Sequence, residues 1–317
     1  MRDRLDSHSI QVLRLILVLA FLCLLPAPRA VAEDKVGGLY ARALAAAPSA
    51  AAEDTQTKPG DPPANLRLRN TLIIGGGAAL VAAYGMSNWW RSGFGGGFKT
   101  TNEGWFGADT QYGGADKLGH LYANHAATRL LTPLFESAGN SRDASLSLAA
   151  WSTLGIYTAV EIVDGYSRRW KFSAQDEIAN AAGAVLGVVL ETHPELDAVV
   201  DLRLDYRPSR ASHFDPFGDY SGQKYLLVVK ADGFEPLREN KLLRYLEVAV
   251  GYGTRGYDNG NGRHRDAYVG LSINLARLLA DGAYDGQMRS TAFQRGAERA
   301  FELVQFPTIA YARRSVD

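Results

Sequence analysis

The sequence contains almost no cysteine. Its single cysteine, Cys23, lies inside an apolar run near the start of the chain, so the rest of the chain has neither a disulfide nor a thiol for catalysis. An excess of charge of one sign is also absent, because 34 basic residues balance 34 acidic residues. A balanced chain has no general attraction to nucleic acid or to anionic lipid, and we therefore expect no nucleic-acid partner.

Three common catalytic signatures are missing as well. The sequence has no HExxH pair of histidines and no serine in a G-x-S-x-G turn. The glycine-rich stretch Gly93–Gly97 is not directly followed by Lys-Ser or Lys-Thr, and no strand precedes it as a phosphate-binding loop requires. These absences argue against a zinc protease of that type, a serine hydrolase and a nucleotide-binding enzyme.

The first 32 residues have the pattern of an export signal. An arginine-containing start leads into the apolar run Leu13–Pro26, and Ala30–Ala32 fits a cleavage site that would make Glu33 the mature N-terminus. The run is short for a bilayer-spanning helix, so cleavage is favoured over an uncleaved anchor. Lipid attachment to Cys23 is disfavoured because Leu22 stands where a small residue is needed.

A tether and a helical region are predicted next. Residues 33–66 are mostly Ala, Pro, Asp, Glu, Thr and Lys, a composition that buries too little apolar surface to fold. Four apolar segments follow, and they are Asn70–Met86, Ala115–Phe135, Ala144–Val163 and Ala174–Leu190. The last three repeat apolar residues with a period of 3.6 and exceed strand length, which predicts helices.

The first apolar segment has two interpretations. It is uncharged and is bracketed by arginines and by the pair Trp89 and Trp90. Its length is at the lower limit for crossing a bilayer, and its glycines suit a buried helix equally well. Aromatic residues crowd the following loop up to Tyr112, which is typical of an interfacial belt or, as the second choice, a hydrophobic lid.

The C-terminal part has a different sequence pattern, which is typical of strands. The segments Tyr225–Asp232, Arg244–Gly253 and Ala267–Ala276 look like strands, and Gln287–Ala300 looks like a helix. We expect a mainly α protein, a bundle of about four apolar helices with a small C-terminal antiparallel sheet that caps the helices or, less favoured, faces a membrane. The predicted boundaries are residues 1–32 for the signal, 33–66 for the tether, 67–195 for a membrane-associated helical core and 196–317 for the β-rich region.

Polar residues stand near one end of each of the last three helices. Asp116 and His120 are four residues apart and share a helix face, while Lys117 points about a quarter-turn away. Glu161 and Asp164 are three apart at the end of the third helix. Three helix ends are therefore expected to present ionisable side chains to a common place.

The fourth helix carries a small-residue stripe. Ser173 is placed to cap its N-terminus, and Asp176 suits the positive end of its dipole. Asn180, Gly183 and Gly187 continue the face of Asp176, and such a stripe lets a neighbouring helix approach closely. The polar residues are thus predicted to face other helices.

Two interpretations of these polar residues stay open. The side chains either form a buried network that sets the helix register, or they form a site. A histidine with several carboxylates can hold a divalent metal ion, the one cofactor expected here, with Asp116, His120, Glu161 and Asp176 as candidate ligands. The same residues with Asp164 are the candidates for general acid and base groups.

The blocks FKTTNEGWFGADTQYGGADKLGH and FSAQDEIANAAGAVLG, with the acidic pair between them, resemble the YfiM-like family of uncharacterised predicted periplasmic lipoproteins. The motif order also resembles that of VanZ-like membrane proteins. The resemblance implies a location in the periplasm or envelope membrane of a Gram-negative bacterium, and it implies no particular reaction. The matching positions are Asn102, Glu103, Trp105, Asp116, Lys117, His120, Glu161, Asp164, Ser173, Asp176, Asn180 and Gly183.

The expected function is that of an envelope protein whose polar cluster is structural or ligand-binding. The alternative is a metal-assisted hydrolase that acts on lipid or cell-wall material. A scaffold that recruits other envelope proteins through an exposed sheet edge is a third hypothesis.

Membrane association can be tested without knowing the ligand. The mature chain, lacking residues 1–32, should require detergent to stay in solution, because the uncharged first helix needs an apolar environment. Size-exclusion chromatography with and without detergent measures this. A soluble, monomeric chain in plain buffer would contradict the prediction.

Overall fold

The computed structural model describes residues 65–209, 215–257 and 262–317. The predicted export signal with its cleavage site, Cys23 and nearly all of the predicted tether lie outside these residues.

Four long helices form one part of the fold, as the sequence predicts. They are α1 (Leu66–Asn88), α2 (Ala115–Ala138), α3 (Arg142–Tyr166) and α4 (Ala174–Thr192). Their ends follow local chemistry: the Ser141 hydroxyl accepts from the Ala144 amide at the start of α3, and the Ser173 hydroxyl accepts from the Asp176 amide at the start of α4. Gly139 ends α2 with a φ of 107°, a conformation that glycine adopts without strain.

Helices α2 and α4 touch backbone to backbone. A Cβ atom added at Gly183 would lie 2.1 Å from the carbonyl oxygen of Leu121, and one added at Gly187 would lie 2.8 Å from Cβ of Thr128. The glycine stripe therefore faces α2 and allows the two helices to approach closely. This approach brings the N-terminal ends of α2 and α4 together.

Helix α1 lies on the outside of the bundle. Gly85 is its one buried residue, and Leu68, Leu72 and Leu80 are exposed. Within the described residues, α1 and α3 are long and apolar enough to cross a membrane, judged by length and composition. They differ in packing, because 6% of the α1 window is buried against 33% of the α3 window.

The β structure comprises a small pair and a larger sheet. The short strands β1 (Thr100–Thr101) and β2 (Phe172–Ser173) pair in parallel, and the sheet contains β3 (Val200–Tyr206), β4 (Gln223–Lys230), β5 (Leu246–Arg255), β6 (His264–Ile273) and β7 (Ala310–Ser315). These five strands lie in chain order, each antiparallel to the next. The expected class, mainly helical with a small antiparallel sheet, is confirmed.

Four shorter helices complete the described residues. They are α5 (Pro194–Asp197), α6 (Glu235–Arg238), α7 (Leu275–Ala283) and α8 (Ala292–Leu303). Leu204 and Tyr225 of the sheet pack against Tyr122 and Ala126 of α2, so β3 and β4 cap the helices. On β5 and β6 the same sheet face is exposed and apolar.

Strand β3 was not among the predicted strands, and both of its faces carry buried side chains. Asp201, Arg203 and Asp205 alternate with apolar residues, yet they are the buried side chains of one face. Arg203 pairs with Asp201 and with Glu247 of β5, and Lys230 of β4 lies 2.6 Å from Asp201. The alternation is typical of a strand, but the pattern does not show that the charged face is buried as well as the apolar face.

Two further details differ from the prediction. The third predicted strand was extended to Ala276, whereas β6 ends at Ile273 and Asn274 caps α7 by accepting from the Arg277 amide. The closing segment around Ala310–Ser315 forms the edge strand β7. The sequence did not predict this strand, because its two adjacent arginines interrupt the alternation of apolar and polar residues.

Two glycines offer a matched test of the α2–α4 contact. Gly183→Ala should lower the free energy of unfolding by about 1–3 kcal/mol, because the new methyl group would collide with the Leu121 carbonyl. Gly155→Ala, in α3 with no atom within 4 Å of the new Cβ, should raise it by up to about 1 kcal/mol. Denaturant unfolding in detergent measures both, and equal effects would show that α4 does not rest on α2.

Candidate functional site

Seven ionisable side chains meet where three long helices end, and we call them the polar cluster. They are Glu103, Asp116, Lys117, His120, Glu161, Asp164 and Asp176. The loop before α2 is held at this place because β1 pairs with β2 just before α4. Asn102 strengthens the attachment, since its side-chain oxygen accepts from the Gln175 side chain at 2.5 Å.

Lys117 lies at the centre of one half of the cluster. Its Nζ is 2.5 Å from Glu103 Oε2, 2.7 Å from Asp116 Oδ2 and 2.7 Å from Asp176 Oδ1, and its side chain is only 2% exposed. Burial lowers the pKa of Lys117, but the three carboxylates outweigh burial and raise it above its usual range. The ammonium group therefore stays charged and joins the loop, α2 and α4.

His120 lies at the centre of the other half. Its Nε2 is 3.7 Å from Glu161 Oε1 and 3.9 Å from Asp176 Oδ1, distances that exceed those of hydrogen bonds. Its Nδ1 is 3.0 Å from the side-chain oxygen of Asn180. A gap therefore separates Nε2 from two carboxylate oxygens.

The orientation of Asn180 determines which histidine nitrogen carries the proton. Its Oδ1 accepts from the side chain of Asn124 at 2.7 Å, and its Nδ2 faces a carboxylate oxygen of Glu177 at 3.4 Å. The atom that faces His120 is thus an acceptor, so Nδ1–H donates to it. In the neutral ring, the lone pair of Nε2 points into the gap.

Neighbouring charges and burial shift the pKa values of the groups around His120. Burial lowers the pKa of His120, but Asp176 and Glu161 raise it to about 9. Burial raises the pKa of Glu161 to about 8, against the opposing effect of His120. The pKa of Asp176 is lowered despite burial, because His120 and Lys117 both stabilise its charge.

The two remaining acids are shifted mainly by burial. Burial and the charge of Asp176 raise the pKa of Glu103 to about 7, although Lys117 opposes this. Burial raises the pKa of Asp164 to about 6, although it accepts a 2.5 Å hydrogen bond from Trp90 Nε1. Carboxyl groups with such values exchange protons near neutral pH.

The cluster opens into a pocket. The pocket has about 70 Å³ of free space, enough for an ion with a few water molecules. All the predicted acid and base candidates line it, namely Asp116, His120, Glu161, Asp164 and Asp176, together with Glu103. Aromatic side chains supply much of the remaining wall, among them Trp89, Tyr112, Tyr157, Trp170, Phe217 and Tyr220.

Other motif residues position the cluster. Ser173 caps α4 and donates its backbone N–H to Glu161 Oε2 at 3.3 Å, and Gly183 permits the α2 contact. Trp105 is not among the residues that line the pocket.

Residues from the sheet complete the pocket and were not predicted. Tyr225 comes so close to α2 that a Cβ at Gly119 would lie 2.9 Å from its hydroxyl. Tyr220 packs on Tyr112 with ring centroids 4.5 Å apart. The one local signal was Gly119 itself, a glycine between Asp116 and His120 that leaves room for an aromatic ring.

The metal-free protein should lose thermal stability as the pH rises from 6 to 9. The pKa of His120 in the folded state is about 9 against an ordinary 6.5, so its stabilising effect is complete below 6.5 and is lost as the pH passes 9. Glu161, with a folded pKa of about 8 against 4.5, acts in the same direction because the folded state holds its proton longer.

Melting temperatures in EDTA at pH 6, 7.5 and 9 measure this dependence. His120→Gln should flatten it, while His193→Gln, which changes a histidine outside the cluster, should not. A melting temperature that rises over this range would contradict the assignment.

Comparisons with known proteins match one part of the chain to a family. Residues 102–192 match the family described as "Predicted periplasmic lipoprotein (DUF2279)". No curated protein and no solved structure matches the chain. The description agrees with the exported, envelope location that the N-terminal segment predicts, while the finer likeness to YfiM-like and VanZ-like proteins stays a prediction. All seven side chains of the polar cluster lie within residues 102–192, the part of the chain that matches this family of predicted periplasmic lipoproteins.

Proposed function

We propose that this envelope protein binds a divalent metal ion through His120, Glu161 and Asp176, which we call the metal triad. The carrying observation is the gap in front of His120 Nε2, which faces two carboxylate oxygens at 3.7 and 3.9 Å without a hydrogen bond to either. The three ligand atoms lie within 4.8 Å of one another.

The dimensions of the gap suit a metal ion after a small adjustment. Ligand atoms about 2.1 Å from a tetrahedral Zn²⁺ lie about 3.4 Å apart. The observed separations of 3.7 and 3.9 Å need to close by only a few tenths of an ångström. One imidazole nitrogen with carboxylate oxygens is a donor set that suits Zn²⁺ or Mn²⁺.

A second acidic group in the cluster serves as an internal comparison. Glu103, Asp116 and Asp176 also bring three oxygens together, but Lys117 Nζ lies among them and supplies the positive charge. In the metal triad, Lys117 Nζ forms an ion pair with Asp176 but none with Glu161. A bound cation there would do what Lys117 does in the neighbouring group.

The surroundings of the metal triad support ligand binding. Asn180 holds the ring of His120 in the tautomer that leaves Nε2 free, and the Ser173 amide orients Glu161. Such hydrogen bonds behind the ligands are typical of metal sites. A purely structural network would instead close the gap with hydrogen bonds, since unpaired buried charges are unfavourable.

We also propose that α1 attaches the protein to the membrane. Its exposed leucines and its low burial leave an apolar surface that a bilayer would cover. The pocket of the metal triad lies beside its C-terminal end, since Trp89 directly follows α1 and lines the pocket.

A metal-assisted hydrolase is the second candidate function. Asp164 favours it, because this residue lines the same pocket without belonging to the metal triad. With a pKa of about 6, its carboxylate is ionised at neutral pH and can accept a proton from metal-bound water.

Purified wild-type protein should bind about one equivalent of Zn²⁺ or Mn²⁺ per chain. His120→Ala should abolish binding, because it removes the nitrogen ligand, while His193→Ala should bind normally. Calorimetric titration of EDTA-treated protein and elemental analysis after dialysis measure the stoichiometry. A folded wild type that binds no divalent ion would contradict the proposal.

The variant Asp164→Asn distinguishes a protein that only binds a metal ion from a metal-assisted hydrolase. It should keep the metal in either case, because Asp164 is not a ligand. If the centre is hydrolytic, this variant should lose any metal-dependent cleavage of bis(p-nitrophenyl) phosphate that the wild type shows. Equal cleavage by both proteins would exclude Asp164 as the base.

A further inference from the structure

A larger cavity lies next to the pocket of the metal triad. It has a volume of about 700 Å³ and shares Trp89 and Tyr112 with that pocket. Its size suits a small organic molecule better than an ion.

Three arginines line this cavity without acidic partners. Within residues 65–209, 215–257 and 262–317, the side chains of Arg91, Arg169 and Arg263 form neither ion pairs nor hydrogen bonds. Arg169 lies over the ring of Trp170 at 4.7 Å from its centroid, and Arg263 lies over Tyr257 at 5.3 Å. Stacking of this kind orients a guanidinium group and leaves its N–H donors free.

Several arginines elsewhere are paired with acids. Arg129 contacts three carboxylates, and Arg203 and Arg289 contact two each. The three cavity arginines differ from these because they lie around one cavity and have no such partner among the described residues. They provide positive charge for a ligand that brings its own negative charge.

Two carboxylates in the same cavity do not neutralise these arginines. Asp219 accepts from the Ser209 amide at 2.7 Å and from the Ser209 hydroxyl at 2.5 Å, and also from the Gly222 amide. Asp215 accepts from the hydroxyl of Tyr84. Both carboxylates therefore have hydrogen-bond donors other than these three arginines.

The cavity lies where two apolar helices end. Helix α1 is followed by Trp89, Trp90 and Arg91, and α3 is followed within a few residues by Arg169 and Trp170. The indole nitrogen of Trp170 donates to the Trp89 carbonyl at 2.8 Å, so the two ends are tied together. Tryptophan and arginine at the ends of apolar helices are typical of the lipid headgroup level.

We propose that this cavity binds the phosphate group of a ligand through Arg91, Arg169 and Arg263, and that the metal triad faces the same ligand. Phosphate accepts forked hydrogen bonds from guanidinium groups, and the aromatic walls accommodate the neighbouring apolar part. The phosphate belongs either to a lipid headgroup or to a free phosphate compound. Only the second clause, which places the ligand beside a metal ion, rests on the proposed function.

The test uses full-length protein in an uncharged maltoside detergent with EDTA present. Dihexanoyl phosphatidic acid, inorganic phosphate and dihexanoylglycerol are titrated separately by calorimetry. We expect phosphatidic acid to bind, and the triple variant R91Q/R169Q/R263Q to bind it at least about tenfold more weakly, since each lost arginine removes charge-assisted hydrogen bonds. The control R67Q/K241Q/R314Q removes the same charge from exposed side chains elsewhere and should bind as the wild type does.

The outcomes separate the possibilities. Phosphatidic acid bound more tightly than inorganic phosphate identifies a lipid headgroup, and equal affinities identify a free phosphate compound. Equal binding of uncharged dihexanoylglycerol, an unaffected R91Q/R169Q/R263Q variant or an equal loss in the control would each overturn the proposal.

Metal binding is measured independently of this test. The arginine variant should keep its metal, and His120→Ala should keep its phosphate binding in EDTA. A wild type that binds phosphatidic acid but no metal would remove the proposed metal centre and leave the phosphate site standing.

Discussion

The site depends on one buried ammonium group. Lys117 Nζ contacts carboxylates from the preceding loop, from α2 and from α4, and its side chain is almost completely shielded from solvent. Such a charge is tolerated inside a protein only when partners compensate for the lost hydration. Lys117 thus forces Glu103, Asp116 and Asp176 to converge, and it sets the separation between the loop and the two helices.

Asp176 connects this compensated group to the metal triad. The same Oδ1 atom lies 2.7 Å from Lys117 Nζ and 3.9 Å from His120 Nε2. The two halves of the polar cluster therefore share Asp176 but differ in the group that faces it. One half is closed by an ammonium group, and the other leaves His120 Nε2 and two carboxylate oxygens around a gap, the arrangement that a cation would complete.

The sheet also buries charged side chains on one face and, on β5 and β6, exposes apolar side chains on the other. Asp201, Arg203 and Glu247 are buried, whereas Val248 and Leu271 on the opposite face are exposed. Strand β3 was not among the predicted strands although its regular alternation is typical of one, and the pattern does not report that both of its faces are buried. The long helices were predicted within a few residues because their period, capping residues and glycine stripe are local properties.

The sequence by itself determined the helices, the cluster residues Asp116, His120, Glu161, Asp164 and Asp176, and the expectation that three helix ends converge. These follow from spacing along one chain, since residues three or four apart on a helix share a face. Tertiary structure alone decided that Lys117 fills one acidic group and that a gap remains at His120. It also placed Tyr220 and Tyr225 over α2, and it gathered Arg91, Arg169 and Arg263 around one cavity. These arrangements join segments separated by scores of residues, and such contacts depend on how the helices and the sheet pack in three dimensions.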